Sequence, residues 1–267
     1  MRVLREYRSP TLKVYMPGHR MLEFKIVMRN VPGAIAEASQ LLYSHGVNIL
    51  SGFQEVRDEK FIWVFIADLS GAGIEPEGLI EGLKGLGKVL AVEYSEPEMD
   101  GLVIDDLCFP LTTQGERSLI LRSDTFNEIM RTIRDIVGRD AGNVIIYQLG
   151  VRAGAEKMRS LREHYRGLGD LELLKVALRE RCAKGWCIAE ILRIDMNLYK
   201  AEIRAEGLFE CLETAADKVE YQGSQFFRGY LSGLLASLWG RRVSVEEVQC
   251  ASKGREACIF KAEVGTA

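Results

Sequence analysis

The chain has 267 residues, of which 47% are hydrophobic, so its length favours two domains and its apolar content suffices for a core in each. Its 35 basic and 38 acidic residues leave a formal net charge of -3, and the basic residues are spread along the whole chain. This balance excludes the electrostatic footprint of a nucleic-acid-binding protein.

The first twenty residues are predicted to form an N-terminal arm, 1–20. Their start, Met1 to Arg8, carries too many charges for the apolar region of a signal peptide. The longest uncharged apolar stretch of the chain, 229–240, is shorter than the roughly 20 residues that a membrane-spanning helix needs. We therefore expect a cytoplasmic protein with no membrane span, whose cysteines are reduced thiols or metal ligands.

The next region, from Met21, is predicted to alternate strands and helices. Apolar and charged residues alternate from Leu22 to Arg29, the period of a half-buried strand. Pro32-Gly33 then turns the chain into a helix over Ala34–His45, which Gly46 ends.

Three further strands and one further helix complete this region. The predicted elements are strands at Asn48–Val56 and Phe61–Asp68, a helix from Pro76 to Gly85 or Gly87, and a strand at Lys88–Tyr94. The resulting order, βαββαβ, is the ferredoxin-like plan. We expect this domain to cover 21–98 and a connector to cover 99–117.

The second half is predicted to be an α+β domain over 118–264. Its first elements are a strand at Ser118–Arg122 and helices at Ser123–Val137, Asn143–Arg159 and Leu171–Ala183, and a hairpin of Ile188–Asp195 and Leu198–Ala205 follows. Gly150 and Gly154 lie one turn apart on the same helix face, which predicts close packing against a neighbouring element.

The turn between the first strand and the first helix of the βαββαβ region predicts an anion-binding site. Gly33 has no side chain to keep a ligand from the free amides at the helix start, where the helix dipole attracts a carboxylate. Asn30 can donate and accept hydrogen bonds beside it. A tight turn without a ligand uses the same residues, so that alternative stays open.

Residues Met21–Pro97 resemble the ACT domain family, in which an Asn or Asp with Pro-Gly enters the first helix and Gly-x-Asn-Ile enters the second strand. Both motifs are present. The resemblance implies a regulatory module that binds an amino acid or a related metabolite between two copies, and hence a homodimer. The ligand-binding residues that it implies are Asn30, Val31, Pro32, Gly33, Ala34, Asn48 and Ile49.

The C-terminal region is predicted to be a β-hairpin that carries metal ligands. Glu247 and Cys250 lie three residues apart on the first strand, and Cys258 follows a turn that contains Gly254. Thiolates and carboxylates are zinc ligands. A pair of buried thiols packed across a hairpin without metal is the alternative.

Residues from about Ser118 to Glu263 resemble the 4-vinyl reductase family, which includes sensor domains of aromatic-responsive regulators and shares a fold with TRAPP tethering subunits. The segments that carry the resemblance are Phe227-x-Gly229-Tyr-Leu-x-Gly233, Glu247-x-x-Cys250 and Cys258-x-Phe260. In zinc-containing members the metal is held by the Glu, the two Cys and a further Cys upstream.

This sequence departs from that family pattern at the upstream position, where Ser224 stands in place of cysteine. The metal ligands implied are Glu247, Cys250 and Cys258, and the fourth is left open between Ser224 with water, Cys211 and none. The other cysteines, Cys108, Cys182, Cys187 and also Cys211, have no spacing that demands chemistry and are expected to be buried thiols.

Sensor domains of this family enclose an apolar pocket. The aromatic residues that would line it here are Tyr147, Trp186, Phe226 and Tyr230. Aromatic residues at helical spacing are more often part of a core than of a pocket, so both interpretations stay open.

No catalytic constellation is found in the sequence. The three histidines offer no base for a nucleophile, and no Gly-x-Gly-x-x-Gly or Walker loop is present, so no nucleotide cofactor is expected. We therefore predict a non-catalytic sensor of an amino acid or an aromatic or apolar metabolite, which signals through a downstream protein partner. The alternatives are a scaffold resembling the tethering subunits and a vinyl-reductase-related enzyme component.

Overall fold

The computed structural model describes residues 9–113, 115–211 and 223–265. The chain divides into two compact units, Met1–Ser118 and Leu119–Ala267, and each has hydrophobic clusters of its own. Both units combine helices with antiparallel sheets, which confirms the predicted α+β class. Within the described ranges, no helix is both long and apolar enough to cross a membrane.

The first unit contains the predicted βαββαβ order. Its elements are β1 (Lys13–Tyr15), β2 (Met21–Arg29), α1 (Ala34–Ser44), β3 (Asn48–Arg57), β4 (Lys60–Asp68), α2 (Pro76–Lys84), β5 (Val89–Ser95), β6 (Leu102–Ile104), β7 (Thr112–Thr113) and β8 (Glu116–Arg117). The main sheet has the antiparallel order β3-β4-β2-β5, which is the ferredoxin-like arrangement.

The two faces of this sheet are covered by different parts of the chain. Phe24 and Ile26 of β2 are fully buried in a cluster with Leu79 and Leu83 of α2. On the other face, Val103 of β6 packs in a smaller cluster, and β6 pairs with β1 in a two-stranded ribbon. Residues from the predicted arm and connector thus contribute to the first unit.

The predicted strand at Ser118–Arg122 is wrong. The strand β8 ends at Arg117, and Leu119, Ile120 and Leu121 lie outside any strand with exposed side chains. A short apolar run becomes a strand only when a neighbouring strand takes up its backbone hydrogen bonds.

The second unit packs helices on a four-stranded sheet. Its elements are α3 (Ser123–Val137), α4 (Arg139–His164), α5 (Asp170–Ala183), β9 (Ile188–Asp195), β10 (Lys200–Glu206), α6 (Gln225–Trp239), β11 (Val243–Gln249), a 3-10 turn (Ala251–Lys253) and β12 (Cys258–Val264). The sheet order is β11-β12-β10-β9, antiparallel throughout, and residues 209–211 are helical.

The helices α4 and α6 approach each other closely through glycines. A β-carbon placed on Gly150 would lie 2.1 Å from the carbonyl oxygen of Phe226, and one on Gly154 would lie 2.1 Å from that of Tyr230. From the other helix, Gly233 faces the backbone of Val151 in the same way. This confirms the predicted close packing and fixes the start of α6 in the core of the unit.

Candidate functional site

Four potential metal ligands converge in the second unit. One donor atom each from Cys211, Glu247, Cys250 and Cys258 lies within 4.8 Å of the other three. The three cysteine side chains are buried, and the glutamate is half-buried. Among the described residues, this is the group of three or more such side chains that could hold a metal ion.

The β-hairpin places three of these donors on one side because its first strand is irregular. On a regular strand, residues three apart point to opposite faces. The register between β11 and β12 shifts between Glu247 and Gln249, which is a β-bulge. The bulge brings Glu247 and Cys250 to the same side, and Cys258 faces them at the start of β12.

The distances between the thiols fit a tetrahedral metal site. The Sγ atom of Cys211 lies 3.4 Å from those of Cys250 and Cys258, which are 3.8 Å from each other. These distances are far longer than the ~2.05 Å of a disulfide. A zinc–sulfur bond of about 2.3 Å places two sulfurs of a tetrahedron roughly 3.8 Å apart. The donor set and its spacing therefore fit zinc.

Ser224 lies beside these donors and contacts two of them. Its Oγ is 3.2 Å from the Sγ of Cys211 and donates to Oε1 of Glu247 at 3.1 Å. Its backbone amide donates to Oε2 of the same carboxylate at 3.0 Å. Ser224 therefore orients the glutamate, while Cys211 supplies a thiol at the position that the sequence left open.

Glu210 fixes the backbone next to Cys211. Its carboxylate accepts hydrogen bonds from the amides of Phe226 and Phe227 at 3.0 and 2.7 Å, and so caps the start of α6. Burial raises the pKa of Glu210 to about 7, although the two amides act in the opposite direction. The contact ties the helical segment that ends at Cys211 to the core.

The thiols themselves favour the protonated form when no cation is near. Hydrogen bonds from Cys250 and Cys258, together with burial, raise the pKa of Cys211. A divalent cation reverses this preference because it binds the thiolate. Metal binding at this centre therefore releases protons.

The expectation of buried thiols holds for only part of the remaining cysteines. Cys187 is buried and Cys108 is half-buried. The expectation is wrong for Cys182, which is exposed near the end of α5, and incomplete for Cys211, whose buried thiol lies among the metal donors. Sequence spacing did not single out Cys211 because it lies far upstream of the hairpin.

The turn predicted to bind an anion has a left-handed glycine and a nearby cation. Gly33 has φ +83°, a conformation that favours glycine. A β-carbon at this position would lie 3.1 Å from Nζ of Lys88. Lys88 donates to the carbonyl of Pro32 at 3.4 Å and pairs with Glu37 at 2.5 Å. Lysine and the helix start together attract an anion, and Glu37 competes for the lysine.

The residues implied as ligand contacts in the first unit fall into two groups. Asn30, Val31, Pro32 and Gly33 are exposed and follow Arg29, which pairs with Lys60 at the start of β4; Ala34 is buried beside them. Asn48 and Ile49 pair with Asp68 and Ala67 at its far end. Eight residues of β4 span about 26 Å, so one chain does not bring the groups together.

Three of the four aromatic residues proposed to line a pocket are in one packed cluster. Trp186, Phe226 and Tyr230 belong to it, and it extends through Phe126 and Phe209. Tyr147 lies elsewhere, with the guanidinium of Arg228 over its ring at 5.1 Å.

Comparison with known proteins gives a family match for part of the chain. Residues 206–264 match the vinyl-4-reductase domain, in agreement with the resemblance drawn from the sequence, and this range contains all four metal donors. No curated protein sequence matches the chain.

Solved structures similar to the chain include both kinds of domain. The phenol-responsive sensory domain of the transcription activator PoxR, solved with phenol, is 18% identical over 56% of this chain and 78% of its own, with a TM-score of 0.51, which shows a shared fold. A vinyl-4-reductase family protein from Methanocaldococcus jannaschii is 20% identical over 56% and 85%, with a TM-score of 0.39. The ACT domain of GTP pyrophosphokinase from Chlorobium tepidum is 15% identical over 29% and 99%, with a TM-score of 0.25.

Proposed function

We propose that this protein is a non-catalytic regulatory protein that senses a small molecule and contains a structural zinc ion in its second unit. The observation that carries the proposal is the convergence of Cys211, Glu247, Cys250 and Cys258 on one point. Four protein donors complete a tetrahedral zinc site and leave no open position for water or substrate. Such a site stabilises a fold rather than performing catalysis.

The zinc ion would connect parts of the chain that are remote in sequence. Cys211 ends a helical segment, whereas the other three ligands belong to the hairpin of β11 and β12. Zinc polarises no reacting group in this arrangement. Its role would be to hold the hairpin against the start of α6, where Ser224 and Glu210 already make hydrogen bonds.

The sensing role is supported by the fold and by the site in the first unit. The vinyl-4-reductase domain match and the fold shared with the PoxR sensory domain, which was solved with phenol, favour an aromatic or apolar ligand in the second unit. The turn at Gly33 beside Lys88 favours a carboxylate ligand, such as that of an amino acid, in the first unit.

A homodimer is part of this proposal. The two groups of implied contacts in the first unit lie at opposite ends of β4, so a single ligand reaches both only when two chains meet. Ligand binding would then change the dimer and be read by a downstream protein.

Metal content of purified variants tests the zinc site. The wild-type protein, purified without chelator, is expected to contain about one zinc per chain, and Cys211→Ser is expected to lose most of it. Ser224→Ala should keep the metal but bind it roughly tenfold more weakly, because it removes a contact to a ligand. Cys187→Ser is the control, since Cys187 is a buried thiol outside the centre.

Two results of that experiment would contradict the assignment. Less than about a tenth of a metal ion per wild-type chain would refute the zinc site. Full metal content in Cys211→Ser with loss in Ser224→Ala would show that the serine position, and not Cys211, completes the site.

Thermal unfolding against a panel of amino acids and aromatic acids tests the sensing role. A ligand present at a hundred times its dissociation constant stabilises the folded protein by about 2.7 kcal/mol. A reproducible shift with one compound class is expected. If no compound shifts the transition and the protein co-purifies with a stable partner, the scaffold alternative replaces the sensor.

A further inference from the structure

A buried arginine lies in the core of the second unit, away from the metal ligands. Arg181, near the end of α5, is only 3% exposed. Its guanidinium carbon lies 4.4 Å from the centroid of the Trp186 ring and 4.9 Å from that of the Tyr230 ring. The charge is thus held between two aromatic faces, a cation–π arrangement.

The ionic contact of this arginine is weak. Its Nη2 lies 3.5 Å from Oε2 of Glu180, and the same oxygen receives Nζ of Lys157 at 2.6 Å. The Nε atom of Arg181 is buried and has no hydrogen-bond partner in the part of the chain that the structure describes. A buried charge is costly unless it is both paired and hydrogen-bonded, so Arg181 needs a further acceptor.

A second buried donor lies in the same cluster. Tyr230 is 1% exposed, and its hydroxyl has no hydrogen-bond partner among the described residues. Buried hydroxyl groups in proteins are normally hydrogen-bonded. The guanidinium of Arg181 lies over the ring that carries this hydroxyl. One acceptor group placed here can therefore satisfy donors from two side chains.

The surroundings of these donors are aromatic. The ring of Trp186 packs at 5.3 to 5.8 Å from those of Tyr230, Phe226 and Phe209, in tilted or edge-to-face contacts. Trp186 is half-buried and follows Gly185, whose φ is +74°. It is therefore a member of the cluster that borders solvent, and movement of its side chain opens the way to Arg181.

We propose that the second unit binds a small aromatic carboxylate at this cluster. The carboxylate accepts hydrogen bonds from Arg181 and from the hydroxyl of Tyr230, and the aromatic ring packs against Trp186 and its neighbours. This inference rests on the proposed sensing function and specifies its ligand class. A neutral aromatic alcohol would leave the guanidinium without a counter-charge, and a simple anion would leave the rings without a partner.

Calorimetric titration of the full-length, metal-loaded protein tests the proposal with three probes. Benzoate carries both features, benzyl alcohol lacks the charge, and acetate lacks the ring. Benzoate is expected to bind, and each of the other two at least about 100-fold more weakly, since charge-assisted hydrogen bonds and ring contacts are each lost once.

Variants assign the binding to the two donors. Arg181→Gln should weaken benzoate binding about 100-fold and Tyr230→Phe about tenfold. Arg179→Gln, at an exposed position two residues earlier on α5, should leave the affinity unchanged. Tyr230→Phe removes a hydroxyl that has no partner among the described residues, so it should not lower stability without ligand. It therefore remains informative even if Arg181→Gln does not fold.

The outcomes separate this inference from the function on which it rests. Equal binding of benzoate and benzyl alcohol, or unchanged benzoate affinity in Tyr230→Phe, overturns the carboxylate site and leaves sensing intact. Stabilisation by an amino acid with no benzoate binding does the same. Failure of every compound in the panel refutes both the site and the sensor.

Discussion

Ser224 and Cys211 show how much one position can change a site. The sequence motif allowed three of the metal donors to be predicted, because Glu247, Cys250 and Cys258 are held together by one hairpin. It did not predict the fourth, because Cys211 is remote in sequence and is brought in by the fold. The hydroxyl of Ser224, in place of a thiol, contacts both Glu247 and Cys211. A residue of the family motif thus supports the ligands without being required as one.

Glu23 is a buried acid that composition and pattern did not reveal. It occupies a polar position of β2, yet it is fully buried. The amide of Asp106 donates to its Oε2 at 3.2 Å, while its Oε1 has no hydrogen-bond partner among the described residues. Burial raises the pKa of Glu23 to about 8, and the nearby Asp105 adds to the effect. The alternation of the strand predicted a solvent-facing side chain, but the segment after β5 covers it.

The stability of the first unit should therefore fall as pH rises. Glu23 binds its proton more tightly in the folded state, so its stabilising effect is complete below about pH 4.5 and is lost by about pH 8. Glu23→Gln should remove this slope and raise the free energy of unfolding above pH 8 by about 1–3 kcal/mol. Urea unfolding at a series of pH values measures both effects.

The control for that measurement is Glu77→Gln, at an exposed position in the first turn of α2. This variant should keep the wild-type slope. If Glu23→Gln and wild type lose stability in parallel between pH 4.5 and 8, Glu23 is not the group that titrates.

At the scale of helices and strands, periodicity was informative wherever an element has one buried face. The strand β2 and the helix α1 were predicted within one residue of their bounds, because Leu22 to Arg29 alternates and Gly33 and Gly46 flank the helix. The helix α4 extends five residues beyond the predicted end, to His164. Its charged last turns give no apolar period, and stability there depends on ion pairs such as Arg159 with Glu163.

The bulge of β11 could not be predicted from the pattern of its residues. Glu247 and Cys250 would face opposite sides of a regular strand, and only the register shift after Glu247 places them together. The glycines of α4, in contrast, were informative, because a residue unfavourable in a helix indicates a neighbour that needs the space. Backbone irregularity needs the partner strand to be visible, whereas a glycine pair is recorded in the sequence itself.

At the scale of the whole molecule, each unit has the means to fold on its own core. Sixteen buried residues form the main cluster of the first unit, among them Phe24 and Phe65, and the second unit buries Phe227, Tyr230 and Phe260 in a separate one. The metal donors all belong to the second unit. The sequence predicted two domains from length and element order, but it could not show that residues before Met21 and after Pro97 pack in the first one.

Metal removal should therefore destabilise one unit and leave the other unchanged. A chelator is expected to lower the unfolding temperature of the second unit by about 10 °C or more, since structural zinc contributes many kcal/mol and each kcal/mol shifts a domain of this size by roughly 2–8 °C. Scanning calorimetry of the full chain, with and without chelator, measures both transitions. Glu23→Gln identifies the transition of the first unit, because it changes that one alone at high pH. If both transitions move together on chelation, the two units unfold as one cooperative body and the separation of their cores does not describe their energetics.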